Sequence, residues 1–186
     1  MVINKKPVIA LFCGSKSGKK DIYTKKTQEI SSILTKNSYQ IIYGGGRTGL
    51  MGTLSKAIKK EKGNITGVIP KFLNNPKLAQ TGLSHLYDVK NLSTRKKLMI
   101  HKSDIIIILP GGFGTLDELF EVLTMKQLGL NNKKIIIYNI SGFWKYLKKL
   151  ILFLKEEGFI NKSDLNEIYW AKNKEQVINF VKNYHK

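Results

Sequence analysis

The sequence predicts an α/β fold, a doubly wound parallel sheet in a Rossmann-like three-layer α/β/α sandwich. Short apolar, β-branched runs alternate with amphipathic stretches of about a dozen residues, which is typical of βα units. One run, 105–109, reads Ile-Ile-Ile-Ile-Leu without polar alternation, which predicts a central strand covered on both faces. The chain has 186 residues, 42% of them hydrophobic, so we expect one Rossmann-like nucleotide-binding domain over residues 1–186 with a sizeable core.

The individual strands and helices follow from this alternation. The β-branched runs predict strands at 8–12, 40–43, 65–69, 85–89, 105–109 and 135–138. Ile22, Ile30, Ile33 and Leu34 share one helical face and indicate a helix between the first two strands. The remaining amphipathic stretches predict helices near 50–60, 94–102, 116–128, 143–157 and 175–184. Because ligands of such folds bind beyond the carboxyl ends of the strands, we expect the functional residues to lie in the loops that follow strands.

The chain is strongly basic, with 32 Lys and Arg against 13 Asp and Glu and a formal net charge of +19. The lysines are scattered through predicted helices and loops, without interleaved aromatic residues, which favours a solvated basic surface over nucleic-acid binding. Only two of the 32 basic residues are arginines, Arg47 and Arg95. A guanidinium offers a planar fork of donors suited to phosphate or carboxylate, so both arginines are candidate site residues.

Cysteine content and hydropathy bear on the compartment. Cys13 is the only cysteine, which excludes an internal disulfide framework. The N-terminal stretch 1–7 lacks the apolar run of a signal peptide, and no apolar run approaches the roughly 20 residues of a membrane helix. We expect a soluble cytoplasmic protein without a membrane partner.

The loop after the first predicted strand, 13–20, reads Cys-Gly-Ser-Lys-Ser-Gly-Lys-Lys. It does not fit a P-loop, because only three residues separate its two glycines and Lys20 stands where a Mg²⁺-binding Ser or Thr is required. The residues of this loop fit two interpretations equally well. Either the amide of Gly14 and the hydroxyls of Ser15 and Ser17 face an anion, or the loop is a plain tight turn with solvated lysines.

The loop 44–52, Gly-Gly-Gly-Arg-Thr-Gly-Leu-Met-Gly, follows a strand, opens a helix and matches G-x-G-x-x-G. NAD is disfavoured because the chain after the next strand, 70–75, holds no acid for the ribose hydroxyls. Successive glycines still let a phosphate or sugar approach the backbone. We favour substrate binding by Gly45, Gly46, Arg47 and Met51 over close helix-to-strand packing with the arginine in solvent.

The loop 110–118, Pro-Gly-Gly-Phe-Gly-Thr-Leu-Asp-Glu, follows the most apolar strand and delivers Thr115 to the start of a helix. Free N–H groups and the positive end of the helix dipole favour a phosphate there. Glu118 is a carboxylate within one turn of this anion site. From the residues alone, two roles are equal: Glu118 takes part in chemistry, or it completes a T-x-x-E capping box with Thr115, worth roughly 0.5 to 2 kcal/mol to the helix.

Five segments together, 13–15, 44–52, 67–70, 94–96 and 110–118, resemble the LONELY GUY (LOG) family. Its members are cytokinin riboside 5′-monophosphate phosphoribohydrolases, often labelled lysine decarboxylases. The resemblance runs nearly end to end. It implies hydrolysis of the N-glycosidic bond of an adenine-type nucleoside 5′-monophosphate to free base and ribose 5-phosphate, usually by a homodimer with sites near the subunit interface. It also implies that Arg95 and Glu118 are catalytic.

The resemblance and the loops together give a predicted set of binding residues. In this scheme the third loop fixes the 5′-phosphate, and the first two loops and the neighbour of Arg95 complete the site. The predicted substrate-binding residues are Gly14, Ser15, Gly45, Gly46, Arg47, Met51, Lys96, Gly111, Gly112, Gly114 and Thr115. No cofactor and no metal is expected, because His85, His101 and His185 show no ligand spacing with Cys13 or one another.

Two departures from the family pattern leave the preferred base open. The family form M-H-x-R-K is Leu-Ser-Thr-Arg-Lys at 92–96, so Ser93 replaces an imidazole. Met125 stands where a Trp is common, and we expect it to alter the wall around the base. Plain AMP therefore competes with a prenylated adenine nucleotide as substrate. A carrier of a nucleotide or of molybdenum cofactor is the alternative from another class, and lysine decarboxylation fits least, since nothing marks a pyridoxal-phosphate lysine.

Overall fold

A computed structural model describes residues 6–184; residues 1–5 of the N-terminal stretch, and His185, lie outside that range. The described chain contains seven strands and seven α-helices, with 3₁₀ turns at Lys71–Leu73 and Ile140–Gly142. The strands are β1 (Val8–Phe12), β2 (Gln40–Tyr43), β3 (Ile65–Pro70), β4 (His85–Val89), β5 (Ile105–Ile108), β6 (Lys134–Tyr138) and β7 (Ile168–Ala171). The helices are α1 (Asp21–Lys36), α2 (Gly49–Lys60), α3 (Leu92–Lys102), α4 (Phe113–Gln127), α5 (Lys145–Glu156), α6 (Lys162–Asn166) and α7 (Lys174–Lys182).

All seven strands form one parallel sheet in the order β4-β3-β2-β1-β5-β6-β7. The first four strands run outward from β1 to one edge, and the chain then crosses back to lay β5 on the other side of β1. The strand order therefore reverses between β1 and β5. Such a reversal opens a crevice at the carboxyl ends of the two strands, where doubly wound proteins bind their ligands.

The core has two layers, one on each face of the sheet. Alternate residues of β1 point to opposite layers: Ile9 and Leu11 pack with α1, α2 and α7, whereas Ala10 and Phe12 pack with α3, α4 and α5. The four isoleucines of β5 alternate in the same way and are fully buried. This two-sided burial is the reason why the strand has no polar residue.

The predicted doubly wound α/β fold is confirmed. All six predicted strands occur within one residue of the expected bounds, and β5 is an interior strand, as its unbroken apolar run indicated. The prediction missed β7, whose four residues Ile-Tyr-Trp-Ala pair with β6, and the short helix α6. Within residues 6–184, no helix has both the length and the apolar character needed to cross a membrane.

Two helices begin two or three residues earlier than predicted, and both carry candidate site residues. Helix α3 begins at Leu92 because the side chain of Asn91 caps it, accepting a hydrogen bond from the backbone N–H of Thr94 at 2.8 Å. Helix α4 begins at Phe113, directly after Gly112. Arg95 consequently lies in the first turn of α3, and Glu118 in the second turn of α4.

Candidate active site

The loops that follow β1 and β5 meet at the crevice where the strand order reverses. The N–H of Gly14 donates to the carbonyl of Pro110 at 3.0 Å, and the N–H of Leu50 donates to the carbonyl of Gly14 at 3.1 Å. These bonds join all three glycine loops around one cavity of about 520 Å³. Its walls are formed by Cys13, Gly14, Ser15, Lys16, Ser17, Gly18, Tyr23, Leu50, Met51, Leu73, Arg95, Pro110, Gly111, Gly112, Phe113, Gly114, Thr115, Glu118 and Phe143.

The first turn of α4 faces this cavity without a side-chain cap. Gly112 is the N-cap residue, and none of the side chains within residues 6–184 accepts a hydrogen bond from the first N–H groups. The capping-box alternative for Glu118 is therefore wrong, because Thr115 lies inside the helix and its hydroxyl sits against Gly111 rather than at the N-cap. Uncapped N–H groups and the positive end of the helix dipole make this turn suited to an anion.

Glu118 and Arg95 meet at the base of the cavity. The carboxylate Oε1 of Glu118 lies 3.4 Å from the guanidinium Nη2 of Arg95, and the two side chains are only 7% and 13% exposed. Burial raises the pKa of Glu118 to about 7, although the positive charge of Arg95 acts in the opposite direction. Near neutral pH the carboxyl group can therefore hold or release a proton, which is the property expected of a general acid or base.

Arg95 retains hydrogen-bonding capacity that the described protein does not use. Its buried Nε has no hydrogen-bond partner among residues 6–184. The guanidinium rests against Gly44, where any Cβ would collide with it. The glycine at the end of β2 thus makes room for the arginine, whose side chain also lines the cavity.

Cys13 lies at the end of β1 and is buried in the cavity floor. Burial raises the pKa of its thiol, with the nearby Glu118 carboxylate as a second cause in the same direction. A thiol in this environment stays protonated and is a poor nucleophile. Covalent chemistry at Cys13 is therefore disfavoured, and Glu118 is the ionisable group at the site whose pKa lies near neutrality.

The structure brings most of the predicted site residues together. Those that line the cavity are Gly14, Ser15, Met51, Arg95, Gly111, Gly112, Gly114, Thr115 and Glu118. Four others, Gly45, Gly46, Arg47 and Lys96, are not brought to its wall. Lys96 instead lies between Asp117 and Glu121 of α4, in ion pairs of 2.8 and 2.6 Å.

The second glycine loop owes its glycines mainly to close packing. Gly49 has a φ of +56° and lies against the backbone of Ser15, so that a side chain would fit neither the conformation nor the space. Arg47 is exposed, and its Nη1 donates to the carbonyl of Pro76 at 2.5 Å. Its own N–H donates to the carbonyl of Leu78 at 2.9 Å. Arg47 thus holds the segment that follows β3 against the loop, which is the contact that keeps it from the cavity.

Sequence reasoning missed several residues of the cavity wall. Tyr23 of α1 and Phe143 after β6 lie edge to face with ring centroids 5.3 Å apart, and Leu73 of the 3₁₀ turn after β3 closes another side. These residues come from parts of the chain without glycine loops, and only the sheet topology brings them together. Ser17 also lines the cavity, and the anion-facing interpretation of the first loop had named its hydroxyl; Lys16, which the other interpretation placed in solvent, lines the cavity as well.

The two departures from the family pattern lie away from the cavity. The expectation that Met125 alters the wall around the base is not met in this chain, because Met125 does not line the cavity and packs against the core below α4. It is seven residues beyond Glu118 on the same helix, about two turns away. Ser93 is exposed at the start of α3. Within residues 6–184, no group of three His, Cys, Asp or Glu side chains is placed to hold a metal ion.

Comparison with known proteins indicates the family of this chain. The family described as "Possible lysine decarboxylase" matches residues 51–181. A cytokinin riboside 5′-monophosphate phosphoribohydrolase of Arabidopsis thaliana is 33% identical over 95% of this chain and 77% of its own length. A probable enzyme of the same name from Oryza sativa subsp. japonica is 36% identical over 95% and 72%.

The chain belongs to the LOG family. A molybdenum cofactor carrier protein from Chlamydomonas reinhardtii shares the fold of this LOG protein, with a TM-score of 0.74, 19% identity, and 96% and 97% of the two chains covered. At that identity the likeness concerns the fold alone. Any inference about the function of this LOG protein therefore rests on its LOG relatives and not on the carrier protein.

Proposed function

We propose that this protein is a phosphoribohydrolase that cleaves the N-glycosidic bond of an adenine-type nucleoside 5′-monophosphate, releasing free base and ribose 5-phosphate. The observation that carries the proposal is the buried Glu118 carboxyl group beside Arg95, one turn below an uncapped helix start, in a chain whose LOG relatives bear the name of this activity. The cavity is large enough and polar enough at one end to hold a small phosphorylated ligand.

The phosphate end of the substrate has a natural place in this cavity. The first turn of α4 offers unpaired N–H groups from the segment 113–115, and Gly112 and Gly114 leave open space beside them. A 5′-phosphate bound there gains hydrogen bonds and a favourable helix dipole. Its binding energy then serves to place the scissile bond near Glu118, which is how contacts remote from the reacting atoms contribute to rate.

Breaking the bond between ribose and base develops positive charge on the ribose ring. A carboxylate beside the ring stabilises an oxocarbenium-like transition state, and it can orient or deprotonate the attacking water. Glu118 is suited to this role because it is buried, where its charge is weakly screened. Arg95 keeps Glu118 partly ionised, and its guanidinium, which lines the cavity, can bind the phosphate or the departing base.

The decisive test is an assay of base release from AMP and isopentenyl-AMP by the purified protein. We expect free base and ribose 5-phosphate in equal amounts, with no metal added. Adenosine serves as the matched substrate without phosphate and is expected to react far more slowly. Tight binding of both nucleotides without release of base would instead support the carrier alternative.

The proposal also includes a homodimer, as the family resemblance implies. Leu92 of α3 and Phe120 of α4 are large apolar side chains that are exposed on two helices of the same layer. A dimer contact through this layer would bury both side chains. Light scattering coupled to size-exclusion chromatography tests the state directly: a mass twice 21.1 kDa is expected, and Phe120→Glu should shift it towards the monomer.

A cytoplasmic location completes the proposal. The one cysteine of the chain is a free, buried thiol, as suits a reducing compartment. Fractionation of cells that express the protein, followed by immunoblotting, tests this; recovery outside the cytoplasmic fraction would contradict it.

A further inference from the structure

A cluster of charged side chains beside the candidate active site has no role in the scheme above. Lys96 follows Arg95 on α3, and its Nζ lies 2.9 and 2.8 Å from the two carboxylate oxygens of Asp117 and 2.6 Å from Glu121 on α4. The lysine side chain is only 15% exposed. Burial alone would lower the pKa of Lys96, but its hydrogen bonds to Asp117 and its ion pair with Glu121 raise it, so the lysine stays charged.

The ion pairs of Lys96 lie beside the ion pair of Arg95 and Glu118 in the cavity. Arg95 and Lys96 are neighbours on α3, and their partners Glu118 and Asp117 are neighbours on α4. The two ion pairs therefore join the same two helices side by side, one inside the cavity and one outside it. Helix α3 packs mainly on the strands beneath it, so these side chains are direct links between α3 and α4.

We infer that Lys96 is a positioning residue: it clamps α3 to α4 through Asp117 and Glu121, and thereby sets the position and the ionisation of Glu118. This inference rests on the proposed function of Glu118. It replaces the expectation that Lys96 contacts substrate, because the amine is already held by two carboxylates.

The charges around Glu118 support the effect of the clamp on the ionisation of this residue. The groups that face Glu118 are Arg95 and Lys96 from α3, Cys13 from the end of β1, and Asp117 and Glu121 from α4 itself. After burial, which raises the pKa of Glu118, Arg95 and Lys96 lower it and the two α4 carboxylates raise it. Loss of Lys96 and loss of Asp117 should therefore move this pKa in opposite directions.

The test compares Lys96→Met and Asp117→Asn with wild type, and uses Lys97→Met as the matched control because Lys97 is an exposed neighbour on the same helix. We expect Lys96→Met to lower kcat by about tenfold or more with a smaller change in KM, since small displacements of reacting groups are costly. The acid limb of its pH profile should move to higher pH, and that of Asp117→Asn to lower pH. Lys96→Arg, which keeps the charge, should restore the wild-type limb.

A second measurement does not depend on activity. The carboxyl carbons of ¹³C-labelled Glu are titrated by NMR, and the Glu118 signal is assigned by its loss in Glu118→Gln. Lys96→Met should raise the pKa of Glu118 by at least about 0.5 unit, and Asp117→Asn should lower it. Shifts equal to those of Lys97→Met, or in the same direction for both variants, would overturn the inference. A wild-type protein that releases no base would count against the proposed function, while the NMR titration would still decide the clamp.

Discussion

At the scale of single residues, Glu118 is governed by two opposed effects. Burial favours the neutral acid, and the guanidinium of Arg95 at 3.4 Å favours the carboxylate. The balance leaves the pKa of Glu118 at about 7. Burial without Arg95 would favour the neutral acid more strongly, so the arginine is the largest effect that keeps the pKa of Glu118 near neutral pH.

Replacing Glu118 with Gln separates its charge from its shape. We expect Glu118→Gln to retain nucleotide binding and to lower turnover by about 10² to 10³-fold, because the amide fills the same space without stabilising positive charge on the ribose. Base release and equilibrium binding of AMP are the two measurements. Glu157→Gln, an exposed glutamate after α5, is the control. Turnover within a few-fold of wild type would show that the carboxylate is not catalytic.

The pH dependence of turnover follows from the pKa of Glu118. If the ionised carboxylate is the active form, the rate is low below about pH 6 and rises as pH passes the pKa of about 7. The measurement is kcat/KM for AMP between pH 5 and pH 9. A rate that falls across this range would mean that the protonated acid is the active form and would reverse the role given to Glu118.

Arg95 should not be replaceable by lysine. The planar guanidinium rests against Gly44 and approaches Glu118, and a lysine amine has neither the shape nor the number of donors to do both. We expect Arg95→Lys to lower kcat/KM by at least about tenfold and to change the pH limb set by Glu118. Unchanged kinetics with an unchanged pH profile would contradict this role.

At the scale of elements, helix α4 shows why the sequence was ambiguous. The pattern T-x-x-E fits a capping box only if Thr115 is the N-cap residue, and that depends on where the helix begins. The backbone of Gly112, with φ −103° and ψ −148°, places the N-cap three residues earlier. The sequence predicted the helix and an anion site at its start, but the register that excludes the capping box became evident only from the structure.

The first turn of α4 offers a test in which stability and function move in opposite directions. Gly114 is the second residue of the helix, and a Cβ built there meets nothing within 4 Å. Gly114→Ala should therefore stabilise the protein by about 0.5–1 kcal/mol, since alanine loses less entropy in a helix. The added methyl group would occupy open space at the proposed phosphate site, so KM for AMP should rise several-fold.

Thermal unfolding and steady-state kinetics of Gly114→Ala measure the two effects in one preparation. A variant that is more stable with an unchanged KM would show that the phosphate binds elsewhere. A variant that is less stable would show that the glycine has a folding role that its surroundings do not indicate.

At the scale of the whole molecule, the periodic patterns of the sequence predicted the sheet but not the full cavity. The apolar runs and glycine loops depend on local chemistry, so β1, β5 and the loops 13–18 and 110–118 were found. The contributions of Tyr23, Leu73 and Phe143 depend on which strands become neighbours, and a single sequence carries no record of such contacts. The same reason explains why the predicted binding role of Arg47 did not anticipate its position. Its side chain contacts the segment after β3, and that contact cannot be read from the glycine pattern around it.

The free energy of unfolding of the protein should depend on pH through the ionisation of Glu118. Its pKa is raised from 4.5 to about 7 in the folded chain, so the folded state binds more protons than the unfolded state between these values. This contribution is fully present below pH 4.5 and is lost as pH rises through about 7, which lowers the free energy of unfolding by at most about 3 kcal/mol. Glu118→Gln lacks the titrating group and should not lose this contribution. Urea unfolding should therefore show that, between pH 4.5 and pH 8, the free energy of unfolding of the variant rises relative to that of wild type by this amount. Parallel pH curves for the two proteins would contradict the raised pKa, and with it the rise in turnover expected as the pH passes about 7.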